Sequence, residues 1–176
     1  MAKRPRFTPA QIKQQIKKIQ ETVDKQKREN QGEHFTSLTP EEIEKKLKRM
    51  NSPIIVSQGW NSTTPGGVVN YNLGVYNPDP TQAFWLFAHV WIGSGNIDPT
   101  LGTFLVNVDT RFPRLTEPAP FGLTLASGAS STLSFAVKIP SNVEKTNYIG
   151  DSCLMRFTWH DVGEYLDRGV FVFAVT

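Results

Sequence analysis

The 176-residue sequence predicts a mainly β fold, an antiparallel β-sandwich preceded by a pair of amphipathic α-helices. Three observations carry that expectation. Apolar and polar residues begin to alternate with a period of two after residue 53, in short runs bounded by Gly, Pro and Asn. Two helix starts of the same design precede them. Charge and aromatics are also segregated. Residues 1–52 hold 13 Lys/Arg against 7 Asp/Glu, a net of +6, while residues 53–176 hold 6 against 9, a net of −3, with all four Trp. The boundary falls at Asn51-Ser52-Pro53, where the proline disfavours a continuing helix. This divides the chain into a basic helical extension, 1–52, and a sandwich domain, 53–176.

Phe7-Thr8-Pro9-Ala10-Gln11-Ile12 recurs as Leu38-Thr39-Pro40-Glu41-Glu42-Ile43. Each copy is a complete helix start. Thr8 and Thr39 are N-caps, Pro9 and Pro40 occupy the first helical position, and Gln11 and Glu42 close capping boxes. Phe7/Ile12 and Leu38/Ile43 stand as hydrophobic staples. Helices are expected over 9–30 and 40–50, the first stopped by Gly32. Ile12, Ile16, Ile19 and Val23 form one narrow apolar stripe, and Ile43, Leu47 and Met50 another. The repeat is either convergence on a common helix start or a pair of docking helices.

In the second segment, strands are expected at Val69–Val75, Phe84–Ile92, Leu105–Val108, Phe121–Leu125, Leu133–Ile139, Cys153–Trp159 and Val170–Val175, seven or eight in all. Asn77-Pro78-Asp79-Pro80, Gly93-Ser94-Gly95-Asn96 and Ser127-Gly128-Ala129-Ser130 interrupt them as turns. A helical stretch is admitted only near Val162–Leu166.

Tyr71-Asn72-Leu73-Gly74-Val75-Tyr76-Asn77-Pro78-Asp79-Pro80 resembles the opening strand of CARDB-like and related immunoglobulin-like modules. Leu125–Phe135 resembles their later hairpin, and Arg168–Phe173 their finish. The resemblance spans roughly residues 53–176 and implies an immunoglobulin-like sandwich of the kind that binds or spaces other molecules. The chain departs from antibody domains in lacking a Cys pair.

Phe84–Ile92 is the most unusual strand. Phe84, Leu86, Ala88, Val90 and Ile92 form one face and Trp85, Phe87, His89 and Trp91 the other, so both faces are apolar. Val170–Val175 is similarly two-faced, and both strands are expected to be central in their sheet. Something should cover the Trp85/Phe87/Trp91 face. The N-terminal helices, a second subunit, or a sugar or peptide are the three candidates.

Composition excludes several classes. A single cysteine, Cys153, allows neither an intrachain disulfide nor a cysteine-based zinc site. No apolar run is long enough to span a bilayer, and no secretory signal follows the basic start, so a cytoplasmic location is expected. No Gly-x-Ser-x-Gly, His-Glu-x-x-His or phosphate-loop motif is present. His160-Asp161 with Glu164 and Asp167 is the one His/acid cluster, read either as a solvated acidic turn or as a cation site. No catalytic residue, cofactor or metal ligand is assigned. The expected function is non-catalytic assembly or docking. Its contacts with a protein partner or another copy would be Ile12, Ile16, Ile19, Val23, Ile43, Leu47 and Met50 on the helices, and Trp85, Phe87 and Trp91 on the sheet. The alternative is a nucleic-acid-binding or capsid-like protein using Lys17, Lys18, Lys45, Lys46, Lys48 and Arg49.

Overall fold

Both helix starts fold as their local chemistry dictates. In α1 (Pro9–Glu29), Thr8 Oγ1 accepts the Gln11 N–H at 3.2 Å and Gln11 Oε1 accepts the Thr8 N–H at 2.8 Å. Thr39 and Glu42 repeat the exchange at the start of α2 (Pro40–Arg49), at 3.2 Å each way. α1 ends at Asn30, whose N–H bonds the Lys27 carbonyl, two residues before the stop expected at Gly32. Gly32 serves a different purpose. A Cβ there would lie 2.6 Å from the Trp60 carbonyl oxygen, so only glycine lets the chain press this closely on the neighbouring strand.

The computed structural model describes residues 7–49, 51–98, 103–119, 121–157 and 163–176. Among them are ten strands: β1 (His34–Ser37), β2 (Ile54–Trp60), β3 (Val68–Tyr76), β4 (Phe84–Asp98), β5 (Thr103–Val108), β6 (Leu115–Glu117), β7 (Leu123–Leu125), β8 (Ser130–Lys138), β9 (Asn147–Arg156) and β10 (Glu164–Ala174). They form two antiparallel sheets. One is ordered β1-β2-β3-β8. The other is ordered β10-β9-β4-β5, with β6 and β7 also pairing with β4. β9 occupies one edge of β4 from Leu86 to Gly93, while β7, β6 and β5 pair with it in succession at Phe84–Leu86, Ala88–Val90 and Gly93–Asp98.

The sheets face each other across a core that includes Tyr71, Leu73, Leu86, Val90, Phe135, Leu154, Phe171 and Phe173. Tyr71 and Phe171 stack across it with ring centroids 3.9 Å apart. The inward row of β4 is the one expected: Phe84, Leu86, Ala88, Val90 and Ile92 are all buried.

Several expectations need correction. β1, β2 and β6 have no simple alternation, so periodicity alone does not reveal them. β2 is buried along its whole length because Ile55 and Trp60 enter the inter-sheet core while Ile54 and Val56 point the other way. β4 runs through Gly93-Ser94-Gly95-Asn96 instead of stopping, because β5 supplies a partner there. Glu164–Leu166 belongs to β10 and not to a helix. β4 is central, whereas β10 is an edge strand of its sheet. Phe171, Phe173 and Val175 are in the core, while Val170, Val172 and Ala174 line the outer side.

The helices do not cover the Trp85/Phe87/Trp91 face. Ile12, Ile19, Val23, Ile43 and Leu47 form a second apolar cluster with Ile54, Val56 and Tyr76, on the outer face of the four-stranded sheet. The consecutive run Ile54-Ile55-Val56 explains this, because it makes both faces of β2 apolar. Only Met50–Pro53 separates α2 from β2, which holds the helix on the near side. Met50 lies outside the described residues.

Candidate functional site

The outer face of the six-stranded sheet carries a row of rings. The pleat of β4 turns Trp85, Phe87, His89 and Trp91 to this side. Strand β9 contributes Met155 opposite Phe87 and Cys153 opposite His89. Phe157, just beyond β9, lies between Trp85 and Phe87, with centroid distances of 4.2 and 4.3 Å. Phe87 meets His89 edge-on at 4.9 Å, and His89 is 5.5 Å from Trp91. Trp85 Nε1 donates to the Phe121 carbonyl, which ties the segment before β7 to the row. Trp85 is 49% exposed, Tyr165 56% and Phe121 76%, whereas Phe87 is buried beneath its neighbours.

Polar groups on this face are largely matched within it. Arg168 donates two hydrogen bonds of 2.7 Å to Asp151, so the strongest charges cancel locally. His89 Nδ1 is 2.7 Å from Thr116 Oγ1. Burial, with Arg114 nearby, lowers the pKa of His89 below the usual imidazole value. Burial, reinforced by Asp151, raises that of the Cys153 thiol. Imidazole and thiol are therefore both held toward their neutral forms at neutral pH, the opposite of an activated Cys–His pair. The exposed rings offer apolar area for contact.

The remaining sequence-predicted residues fall elsewhere. Ile12, Ile19, Val23, Ile43 and Leu47 are buried inside the chain, and Ile16 packs partly buried against them. Trp85, Phe87 and Trp91 share the aromatic face. Lys17, Lys18, Lys45, Lys48 and Arg49 are exposed. Lys48 pairs with Glu44 at 2.9 Å along the helix. Lys46 is committed to Asp167 at 2.7 Å. That pairing takes the buried Asp167 out of the cluster read as an acidic turn, and Glu164 lies 3.8 Å from Arg156. His160 and Asp161 lie outside the described residues. Sequence reasoning missed Phe157, Met155, Tyr165 and the exposed position of Phe121. Extending the alternation outward from Cys153 would have found Met155 and Phe157. Nothing in the linear pattern places Tyr165, which pairs with Met155, on this face.

No family model matches the chain, and no curated protein sequence matches it. Among solved structures, it is similar to the C-terminal domain of Wzt, at 11% identity over 81% of this chain and 77% of that one, with a TM-score of 0.53. It is also similar to the β-glucuronidase of Bacteroides uniformis, at 14% identity over 67% of this chain but only 12% of that enzyme, with a TM-score of 0.45. A third similar structure is the CARDB domain of a Pyrococcus furiosus protein in complex with di-metal ions, at 12% identity over 71% of this chain and 84% of that one, with a TM-score of 0.38. A CARDB domain is thus among the solved structures to which the chain is similar. At such identities the likeness concerns the fold alone.

Proposed function

We propose that this protein is a non-catalytic assembly module that docks through the aromatic outer face of its six-stranded sheet, and that the occupant of that face is a second copy of the chain. One observation carries the reading. The chain covers the apolar part of its four-stranded sheet with its own helices, yet among the described residues Trp85, Phe121 and Tyr165 stay exposed on the other sheet. Large exposed aromatic patches mark contact surfaces. Trp and Tyr are also the residues that most often dominate interface energetics. A self-complementary contact suits this face because its Asp151–Arg168 pair leaves little net charge to repel an identical surface across a two-fold axis. α1 and α2 then act as amphipathic covers that brace the sandwich. Among the described residues no helix is long and apolar enough to cross a membrane.

The test is the solution mass of the full chain by light scattering across a concentration series. Wild type should have twice the chain mass, and Trp85→Ala with Tyr165→Ser should shift it to one chain mass with an unchanged circular dichroism spectrum. Both side chains are about half exposed, so their loss should leave the fold intact. A wild-type protein that stays at one chain mass at every concentration overturns the proposal. So does a double variant that keeps the dimer.

A further inference from the structure

The outer face of the four-stranded sheet is only half covered. Helices sit over Ile54, Val56 and Tyr76, while the remainder of β3 and β8 turns Asn70, Asn72, Thr132 and Ser134 outward. Where α1 ends, Gln26 and Glu29 join Asn72, Thr132, Ser134 and the half-buried Phe35 around a cleft of about 230 Å³. A second cleft of about 300 Å³ shares Glu29 and Asn72 with the first and extends it past Asn70. The joined trough falls in the size range of small-ligand sites, about 300–1,000 Å³.

Its chemistry differs from that of the rest of the surface. The chain has 19 Lys and Arg, yet among the described residues none lines the trough. Glu29 is the one acid. Two hydroxyls fix two carboxamides: Ser57 Oγ donates to Gln26 Oε1, and Ser134 Oγ donates to Asn72 Oδ1 at 2.8 Å. With both amide oxygens engaged, the two NH2 groups remain to be presented as donors. The Glu29 carboxylate and the Thr132 hydroxyl supply acceptors beside them. Gly74 makes the arrangement possible, because a Cβ there would collide with Ser57 Oγ and the Gln26 carboxamide. The side chain of α1 therefore lies down on bare backbone.

Amide donors beside carboxylate and hydroxyl acceptors match vicinal hydroxyl groups, each of which both donates and accepts. Phe35 adds an apolar surface for sugar C–H groups. Glu29 disfavours an anion, and a lone carboxylate is a poor cage for a metal ion. We infer that this trough is a binding site for a neutral saccharide, on the opposite sheet from the proposed docking face and independent of it.

The experiment is NMR titration of the 15N-labelled full chain with maltotetraose, cellotetraose, mannotetraose and chitotetraose, and separately with tetra-alanine. At least one tetrasaccharide should move the backbone resonances of Gln26, Asn72 and Thr132. Its affinity should fall at least tenfold in Asn72→Ala and in Ser134→Ala and stay unchanged in Trp85→Ala. Gln26→Ala, on the helix, is a further variant should either sheet substitution disturb the fold. No response to any of the four sugars overturns the inference, as do shifts confined to Trp85 and Phe157. A response to tetra-alanine alone would replace the saccharide with a peptide and equally overturn it.

Discussion

Lys46 Nζ sits 2.7 Å from Asp167 Oδ2, and this pair fastens α2 to a bulge in β10. The same carboxylate oxygen accepts the Ile55 N–H at 2.8 Å, and Oδ1 accepts the Arg168 N–H at 2.9 Å. One acid thus joins the helix, an edge strand of one sheet and a strand of the other. Both side chains are nearly excluded from water, at 16% and 10% exposed. Asp167→Ala leaves Lys46 with only the Ile55 carbonyl at 3.4 Å and the buried Ile55 N–H without its acceptor, and is expected to cost about 3–5 kcal/mol. Lys46→Met should cost less, because Asp167 keeps its two backbone donors. Urea unfolding of both variants tests the order; a loss below about 1 kcal/mol for Asp167→Ala would show that the clamp is dispensable.

The helices are part of the folded core and not an appendage. Ile19 and Ile43 are fully buried, in a cluster built from both helices and the sheet. Ile19→Ala should therefore destabilise by about 2–5 kcal/mol, in the manner of other large-to-small changes in cores. Ile16 is only partly buried, so Ile16→Ala should cost clearly less. Thermal or urea unfolding should also show one cooperative transition, with helical and sheet signals lost together. Two separate transitions would mean that the helices unfold independently of the sandwich.

These packing relations mark the limit of what was legible in the sequence. Both capping boxes and the inward row of β4 follow from local rules, because a Thr-Pro start and a period of two each act within a few residues. β2 eluded the same rules. Its neighbours on both sides are apolar, so Ile54-Ile55-Val56 shows no alternation. The destination of the helices was hidden for the same reason, since it is set by which side of β2 they meet. The aromatic row of β4 could be read, but not that Phe157 would pack between Trp85 and Phe87 while Trp85 stays half exposed. The saccharide trough arises from residues as distant as Gln26 and Ser134, brought together by the packing of α1 on β2 and by the β2–β3 and β3–β8 pairings.

Asn77 shows how a residue read as a turn former can serve more than its turn. It is fully buried. Its Nδ2 donates to the carbonyls of Gln82, Leu125 and Ala126 at 2.8, 3.1 and 3.1 Å, and its Oδ1 accepts the Asp79 N–H at 3.0 Å. One carboxamide thereby links the turn after β3 to the end of β7. Asn77→Ala should cost about 2–4 kcal/mol, since it leaves buried carbonyls without a donor. Asn77→Asp should be at least as damaging, because a carboxylate would face carbonyl oxygens. Urea midpoints decide; if Asn77→Asp retains full stability, the donor role fails.

The core tyrosine should make stability depend on alkaline pH. Tyr71 is fully buried against Phe171, and its hydroxyl accepts a hydrogen bond from Ser152 Oγ at 2.8 Å. Burial raises its pKa well above the ordinary value of 10.0, with Asp151 adding to the rise and the Ser152 bond opposing it. Above pH 10 the unfolded chain releases a proton that the folded chain retains. Stability from this group is therefore complete below pH 10 and declines as pH rises toward the folded-state value. The slope approaches about 1.4 kcal/mol per pH unit. Tyr76, Tyr148 and Tyr165 are shifted in the same direction, so wild type alone cannot isolate Tyr71. Tyr71→Phe can. It should lower stability at neutral pH by about 1 kcal/mol through the lost hydrogen bond. Above pH 10 it should decline less steeply than wild type by the slope of one group. Free energies of urea unfolding measured from pH 8 to pH 11 separate the two effects, and parallel curves would show that the folded core accepts the Tyr71 phenolate.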